Sequence, residues 1–357
     1  MNSPMSQTPM SQTAVPRTAM ARTAMSKAAK LPTSMLPIPM LPTRQPSTWR
    51  MPALLATVSL AASFLYVQAK KRSTERDNPP AGKFIDVDGV RLHYLERGTG
   101  PDLVLLHGNA LYAADFELSG LLDRAAEHYH VIAFDRPGFG YSERPSATDW
   151  TPEAQAKLLY TALHALRIER PLVAGHSWGT MVALAMALDY PKYVRGIALI
   201  SGYYYPTARI DAPLAAIQAT PVLGHILRYT VAPLEGRMAW PLIVKGMFSP
   251  APTSERFKRL PAWMTLRPSQ LRANAAEAGL MVPAARRLSQ RYGELTMPVA
   301  VIAGDGDKVV FPDDQARRLH AEISHSELAM QPGVGHMAHY ADQNAIMAAI
   351  DRLQGAR

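Results

Sequence analysis

The sequence contains no cysteine, and its first 74 residues contain no acidic side chain. Without a thiol, the chain has no disulfide, no thiolate metal ligand and no cysteine nucleophile. The redox compartment stays open, because a cysteine-free protein is tolerated anywhere. Charged residues make up 19% of the 357 residues and hydrophobic residues 48%, a balance that excludes wholesale disorder. The length allows two domains, or one large domain with an insertion.

The missing acidic residues explain the net charge of +9. Nine of the 38 basic residues lie in residues 1–74, and the other 29 balance all 29 acidic residues of the chain. The basic excess therefore belongs to an N-terminal extension and not to the folded body. We expect no nucleic-acid partner.

Residues 1–50 are low in complexity, with near-repeats such as MSQTP and MSQTA and frequent proline. They hold too few large apolar side chains to offset the entropy of ordering, which predicts a disordered extension. Two interpretations stay open. A basic, acid-free segment is typical of an organelle transit peptide. Alternatively the start is mis-assigned, and translation begins at Met35, Met40 or Met51.

Residues 51–69 form an uncharged stretch, MPALLATVSLAASFLYVQA, with Arg50 before it and residues 70–72 (KKR) after it. A helix of this length spans about 28 Å, close to the hydrocarbon thickness of a bilayer. We predict a membrane anchor that contacts the lipid bilayer, although a buried helix is the alternative. More basic residues follow the stretch than precede it, which predicts a cytoplasmic folded domain. The sequence VQA, ending at Ala69, also resembles a cleavage site, so an exported, cleaved form is the other topology.

From about residue 84, short apolar runs alternate with segments of helical period. Strands are predicted in a hairpin over 84–95 that turns at Asp88-Gly89, and at 103–106, 131–134, 172–174, 196–201, 299–303 and 327–330. Helices are predicted near 115–128 and at 152–166, 180–190, 313–323 and 343–353. This alternation predicts an α/β domain with a mostly parallel sheet flanked by helices, formed by residues 80–206 and 295–357.

Residues 207–294 break the alternation, because they are rich in proline, mostly helical in period and without a convincing strand. A helical insertion between two strands of an α/β sheet lies at the edge where ligands bind. We predict a helical lid; the alternative is an irregular helical domain with only a packing role. We expect the large apolar residues of the lid, and those of the segment before it, to pack in the core. Alternatively, some of them line an apolar pocket. These residues are Tyr203, Tyr204, Tyr205, Ile226, Leu227, Met238, Trp240, Met247, Trp263 and Met264.

The strongest chemical signal lies in residues 172–180, which read LVAGHSWGT. They contain G-x-S-x-G between a predicted strand and a predicted helix, the context in which a serine is presented on a sharp turn at the mouth of a sheet. We predict Ser177 as a nucleophile. We expect the adjacent His176 to be structural.

A serine hydroxyl is a poor nucleophile without a base. His336 lies in a glycine-rich loop, PGVGHM, after the last predicted strand, and we predict it to be the base. His339 is the competing candidate. The histidine in turn needs a carboxylate, and we choose Asp307 over Asp305 in the segment GDGD that ends a predicted strand.

The oxyanion of an acyl-transfer reaction needs backbone donors. His107-Gly108-Asn109 follows a predicted strand, and the backbone N–H of Asn109 is the predicted first donor. The N–H of Trp178, directly after the nucleophile, is the predicted second donor. Removing one such donor costs roughly 10²–10³ in rate.

Together these residues resemble the α/β-hydrolase superfamily, in the serine branch with a helical cap, from about Phe84 to Leu353. The motifs that carry the resemblance are His107-Gly108, residues 135–142 (DRPGFGYS), the elbow at Ser177, Gly304-x-x-Asp307-x-Val309 and Gly335-His336. The order Ser, Asp, His is that of these enzymes. The resemblance implies an eight-stranded sheet with the cap after strand 6, a catalytic triad and no cofactor, and it gives residues 135–142 a positioning role. No clustered set of His, Asp and Glu beyond the triad has metal-ligand spacing.

Relatives within the superfamily differ at single positions. Cap-bearing epoxide hydrolases and haloalkane dehalogenases have aspartate at the elbow, whereas position 177 is serine. Prolyl iminopeptidases have an oxyanion loop HGGPG, whereas residues 107–110 read HGNA. Esterases, lactonases, C–C bond hydrolases and cofactor-free haloperoxidase-like enzymes share the triad, which does not separate them.

The sequence therefore predicts a serine hydrolase that acts on an apolar carboxylic ester or related carbonyl substrate through an acyl-enzyme. Acyl transfer to an alcohol is an enzymatic alternative. A non-catalytic ligand-binding protein on the same fold and a membrane adaptor are alternatives from other classes.

Overall fold

The computed structural model describes residues 50–208 and 217–356. The predicted disordered extension, up to residue 49, lies outside these residues. So does part of the predicted lid itself, residues 209–216.

Helix α1 (Arg50–Asp77) contains the whole predicted anchor and continues eight residues beyond it. It is long and apolar enough to cross a membrane, although a signal sequence or a core helix of a soluble protein passes the same test. Only 6% of its most apolar window is buried in the fold, and Leu65 is 67% exposed. Most of the apolar surface of α1 therefore remains exposed and is not covered by the rest of the chain.

The sheet has eight strands in the order β1-β2-β4-β3-β5-β6-β7-β8. Strands β1 and β2 form the predicted antiparallel hairpin, in which Val87 pairs with Val90 across Asp88 and Gly89. Both turn residues have positive φ, 50° and 74°, as a two-residue hairpin loop requires. Strand β2 is also antiparallel to β4, and all later pairs are parallel. The strands are β1 (Lys83–Val87), β2 (Val90–Arg97), β3 (Asp102–Leu106), β4 (His130–Phe134), β5 (Leu172–His176), β6 (Gly196–Ile200), β7 (Val299–Gly304) and β8 (Ser326–Gln331).

Helices cover both faces of the sheet. Alternate residues of β3 divide between two cores: Val104 packs in the cluster under α4 and α5, and Leu103 packs in the cluster under α3 and α12. The continuous apolar strands of the sequence are thus buried on both faces, as in other parallel sheets. The flanking helices are α2 (Ala114–Ser119), α3 (Leu121–Ala126), α4 (Pro152–Ala165), α5 (Trp178–Asp189), α10 (Arg318–Glu322), α11 (Ala338–Ala341) and α12 (Gln343–Gly355).

Two predicted helices differ in detail. The segment predicted near 115–128 is two short helices, because Gly120 adopts a left-handed conformation (φ 86°) and ends the first of them. The segment predicted at 313–323 begins as a π-helical turn, Asp313–Arg317, before α10. In both places the periodicity of the sequence correctly predicts helix, but it does not predict the local interruption of the α-helical backbone.

The segment between β6 and β7 is helical in its described part, and we call residues 217–294 the helical insertion. It contains α6 (Leu223–Tyr229), α7 (Ala232–Phe248), α8 (Ala262–Thr265) and α9 (Pro268–Ser289). An apolar cluster joins it to the core: Val244 and Phe248 of α7 pack with Leu111, Phe139 and others that follow the strands. Tyr203 to Tyr205 and Met264 are buried as expected, whereas Ile226 and Met238 are exposed, so packing in the core is wrong for these two.

Candidate active site

Ser177 lies on a strained turn between β5 and α5. Its backbone has φ 51° and ψ −119°, a conformation that non-glycine residues rarely adopt. The flanking glycines make the turn sterically feasible. A Cβ on Gly175 would lie 2.5 Å from the carbonyl oxygen of Gly179, and a Cβ on Gly179 would lie 2.1 Å from that of Leu106. The G-x-S-x-G pattern therefore brings strand and helix into contact and leaves the serine partly exposed.

Hydrogen bonds join Ser177 to His336 and His336 to Asp307. The hydroxyl Oγ of Ser177 is 2.9 Å from Nε2 of His336, and Nδ1 of His336 is 2.7 Å from Oδ2 of Asp307. His336 and Asp307 are buried. The three residues follow β5, β8 and β7, whose carboxyl ends meet at one edge of the sheet.

The two aspartates after β7 face different partners. Asp307 uses both carboxylate oxygens, because Oδ1 accepts the backbone N–H groups of Val309 and Val310 while Oδ2 accepts from His336. Asp305 is exposed, and its Oδ1 accepts the N–H of Gly333. The fold thus directs Asp307, and not Asp305, at the imidazole. In this arrangement Nδ1 of His336 carries a proton, and Nε2 is free to accept one.

His339 does not contact Ser177. Its Nε2 donates to Oδ2 of Asp115 at 2.8 Å, and the hydroxyl of Tyr340 donates to Oδ1 of the same carboxylate at 2.8 Å. His176 packs beside His339, with ring centroids 4.3 Å apart, and its Nε2 donates to the backbone carbonyl of His336 at 3.1 Å. Burial, with the neighbouring histidines, lowers the pKa of His176 well below its ordinary value. His176 is therefore a neutral, structural residue that holds the backbone of His336.

The same cluster is the group of potential metal ligands that sequence spacing missed. Asp115, His176 and His339 each bring one ligand atom within 4.8 Å of the others. Because they lie in three distant segments of the chain, no short sequence motif predicts that they come together. Ligand atoms around a tetrahedral zinc ion with bonds of 2.0–2.1 Å lie about 3.4 Å apart, and both oxygens of Asp115 already accept hydrogen bonds. Nδ1 of His176 and Nδ1 of His339 are buried without a hydrogen-bond partner among the described residues, so hydrogen bonds account for only part of this cluster.

The loop after β3 lies against the nucleophile. A Cβ on Gly108 would be 2.9 Å from Nδ1 of His176 and 3.0 Å from Cβ of Ser177, so a larger residue would have to displace these side chains. Asn109, the next residue, has its side chain engaged, with Nδ2 donating to the carbonyl of Asn274 and Oδ1 accepting the N–H of Ala110. Its backbone N–H has no acceptor among the residues that the structure describes. Trp178 is the first residue of α5, where a backbone N–H has no partner within the helix.

The loop of residues 135–142 holds neighbouring segments together. The Asp135 carboxylate accepts hydrogen bonds from the His93 imidazole and from the backbone N–H groups of Ala113 and Tyr141. Gly140 is required here, because a Cβ would lie 1.9 Å from that carboxylate. The predicted positioning role of this loop agrees with these contacts.

Two sets of contacts near the site correspond to no motif in the sequence. A buried ion pair joins Arg136 to Glu277 of α9, with Nη1 and Oε1 2.5 Å apart. The backbone N–H of His336 donates to the carbonyl of Met247 in α7 at 2.9 Å. Both attach the helical insertion directly to the site. The two residues of each contact lie 141 and 89 positions apart in the chain. The one local signal for the ion pair is Glu277, a charged residue in a mostly apolar segment.

The family profile described as the alpha/beta hydrolase fold matches residues 101–343, more than half of the chain. The chain belongs to the α/β-hydrolase family. The predicted resemblance, the eight-stranded, mostly parallel sheet and the helical insertion after β6 are confirmed.

This α/β-hydrolase is similar in sequence or in fold to enzymes with different names. It is 30% identical over 152 residues to haloalkane dehalogenase 2 of Mycobacterium bovis. The aligned region is 42% of the chain and 52% of the dehalogenase. It is 31% identical over 144 residues to bifunctional epoxide hydrolase 2 of Sus scrofa. The aligned region is 40% of the chain and 25% of that protein. The chain thus spans about half of the dehalogenase and about a quarter of the epoxide hydrolase. A bacterial membrane phospholipase A has the same fold, with a TM-score of 0.59 and 22% identity over 86% of this chain and 99% of that structure.

Proposed function

We propose that the protein is a serine hydrolase that cleaves a carboxylic ester, or a related carbonyl substrate, through an acyl-enzyme. The observation that carries this proposal is the hydrogen-bonded series Ser177–His336–Asp307 at the carboxyl edge of the sheet. Membership of the α/β-hydrolase family and the similarity to two kinds of hydrolase support it.

The geometry leads to a two-step mechanism. His336 accepts the Ser177 proton at Nε2 as the serine oxygen attacks the substrate carbonyl carbon. The backbone N–H groups of Asn109 and Trp178 donate to the oxyanion of the tetrahedral intermediate. Asp307 stabilises the imidazolium and fixes its tautomer through Nδ1. The imidazolium then protonates the leaving alcohol, and the acyl-enzyme forms as the ester bond breaks.

Deacylation uses the same groups. His336 takes a proton from a water molecule whose oxygen attacks the acyl carbon, and it returns that proton to Ser177. The free enzyme is restored, and a carboxylic acid leaves. No redox step occurs, and the products are the alcohol and acid of the ester.

The residue at the elbow separates this chemistry from that of the two curated relatives. The family resemblance implies an aspartate at this position in cap-bearing dehalogenases and epoxide hydrolases, whose names give haloalkanes and epoxides as substrates. Position 177 is serine, whose alkoxide-like oxygen is suited to a carbonyl carbon. We therefore assign the chain a different reaction from theirs within the same fold.

We further propose that α1 anchors the enzyme in a lipid bilayer through residues 51–69, with the catalytic domain in the cytoplasm. The exposed apolar surface of α1 and the basic residues 70–72 at its end support this assignment. An anchored enzyme suits an apolar ester substrate. The helical insertion would act as the lid, because it is bonded to the loop that carries His336.

Fluorophosphonate labelling tests the nucleophile. The full-length chain in mild detergent is treated with the probe, and the adduct is located by peptide mass spectrometry. We expect a single adduct on Ser177 that is absent in Ser177→Ala and strongly slowed in His336→Ala. The matched control is His128→Ala, because His128 is exposed and far from Ser177 in the sequence. Labelling at normal rate in His336→Ala, or no adduct in folded protein, would overturn the proposal. A panel of esters, lactones and diketones then identifies the substrate class.

A further inference from the structure

The helical insertion carries an exposed apolar surface that packing does not explain. Six large apolar side chains in residues 222–243, from the start of α6 into α7, face solvent, and we call them the apolar tip. They are Val222, Leu223, Ile226, Met238, Leu242 and Ile243, with Met238 84% and Leu242 75% exposed. Single exposed apolar residues are ordinary, but a concentration of this kind marks a contact surface.

The segment joining α6 to α7 contacts α1 within its apolar part. The hydroxyl of Ser63 donates to the backbone carbonyl of Thr230 at 2.7 Å, and the rings of Phe64 and Tyr229 have centroids 6.2 Å apart. Thr230 lies between the two helices that carry the apolar tip. The tip is thus tied to the uncharged stretch of α1, and not to its basic end.

This contact determines the depth of the insertion relative to a bilayer. Ser63 precedes Lys70, the first charged residue after the apolar stretch, by seven positions. At 1.5 Å per residue the contact lies about 10 Å along the helix axis from that charge. A bilayer that takes up residues 51–69 and leaves Lys70 at its surface therefore also reaches the junction of α6 and α7. Interfacial helices bury their apolar faces by about 5–10 Å.

The composition of α7 agrees with an interfacial position. Glu235, Arg237 and Lys245 are exposed on the same helix that exposes Met238 and Leu242. A helix with charged and apolar exposed residues lies at the membrane surface and does not cross it.

We propose that the apolar tip docks into the same lipid bilayer that holds α1, so that the enzyme is attached to the membrane at two places. The inference rests on the proposed anchor and not on the proposed chemistry. Because α7 ends beside the loop of His336, the bilayer contact lies on the element that borders the site. An ester dissolved in the bilayer would thereby meet the enzyme at its insertion.

Depth-dependent quenching tests the docking, and the cysteine-free chain permits single-cysteine labelling without background. Full-length variants Leu60→Cys, Met238→Cys, Leu242→Cys and His128→Cys carry an NBD fluorophore. Each is reconstituted in vesicles of phosphatidylcholine and phosphatidylglycerol (3:1) with doxyl-labelled phosphatidylcholine. Far-UV circular dichroism and the thermal midpoint check that each labelled variant is folded. His128, exposed just before β4 at the opposite edge of the sheet, is the matched control.

We expect quenching at positions 238 and 242 of at least half that at position 60, and quenching at position 128 below a tenth of it. Quenching at 60 with none at 238 and 242 would overturn the docking and leave the anchor standing. No quenching at any position would overturn both. Labelling of Ser177 by fluorophosphonate in the same samples reports the chemistry separately, so a failure of either proposal is recognised by itself.

Discussion

Asp305 and Asp307 are two residues apart and differ in environment. Asp307 is buried and accepts three hydrogen bonds, one of them from His336, whereas Asp305 is exposed and accepts one from the backbone of Gly333. A buried carboxylate held by two backbone N–H groups has little freedom to rotate. The orientation of the imidazole therefore depends on Asp307 alone of this pair.

We predict that Asp307→Asn lowers kcat on an ester substrate by about 10⁴-fold, because the amide reverses the hydrogen bond to Nδ1 and favours the wrong tautomer. Asp305→Asn is the matched control, with kcat expected within a factor of about 3 of wild type, since it lies outside the hydrogen-bonded series. Steady-state kinetics measures both. Equal losses in the two variants would contradict the assignment of Asp307.

At the scale of elements, the close contact of β5 and α5 depends on glycine. We predict that Gly179→Ala destabilises the fold by about 3 kcal/mol and abolishes labelling of Ser177, because the added Cβ meets the carbonyl of Leu106. Gly246→Ala is the control. Gly246 lies in α7 with no atom within 4 Å of its Cβ position, so alanine should stabilise the helix by about 0.5–1 kcal/mol. Chemical denaturation compares the two, and an unchanged Gly179→Ala would exclude the tight contact.

The attachment of α9 to the core depends on a buried charge pair. Arg136 and Glu277 are fully buried, and the guanidinium also donates to the carbonyl of His107 and to Gln155. Burying two charges costs hydration free energy that is offset only while both partners are present. The pair therefore makes the position of α9 specific and also vulnerable to loss of either charge.

We predict that Glu277→Gln lowers the free energy of unfolding by about 3–5 kcal/mol, because Arg136 keeps a buried charge without its partner. The control is Glu327→Gln, which breaks a pair with Arg352 whose side chains are 52% and 51% exposed. Such surface pairs contribute about 0–1 kcal/mol. Urea titration of both variants checks the prediction, and similar small losses would show that the buried pair is not needed.

At the scale of the whole molecule, buried neutral histidines make stability depend on pH. Burial lowers the pKa of His107, assisted by the charge of Arg136, and burial likewise lowers that of His176. Below an unfolded pKa of about 6.5 the unfolded chain binds a proton at each position and the folded chain does not. Stability is therefore fully present above that pH and falls as the pH drops below it.

We predict that His176→Gln reduces this dependence, because the amide keeps a donor near the Nε2 position and does not titrate. Between pH 6.5 and 5.0 the wild type should lose about 1.6 kcal/mol more than the variant, because the slope rises from about 0.7 kcal/mol per pH unit at pH 6.5 towards about 1.4 at pH 5.0. Denaturation at pH 5.0, 6.5 and 7.5 measures the slopes, with His128→Gln as an exposed control. Parallel slopes for wild type and His176→Gln would mean that His176 is protonated in the fold.

Local patterns in the chain specify the sheet, the helical insertion and the elbow. Apolar runs, helical period, the Asp88-Gly89 turn and the glycines around Ser177 act on the backbone within a few residues. The three-dimensional fold brings Asp307 and His336 together beside Ser177, a contact that the loop motifs predict but do not themselves enforce. It also decided the Arg136–Glu277 pair and the contact of Ser63 with Thr230, whose partners lie 141 and 167 residues apart. No local preference of the chain specifies such contacts, which form only when the packed elements bring the side chains together.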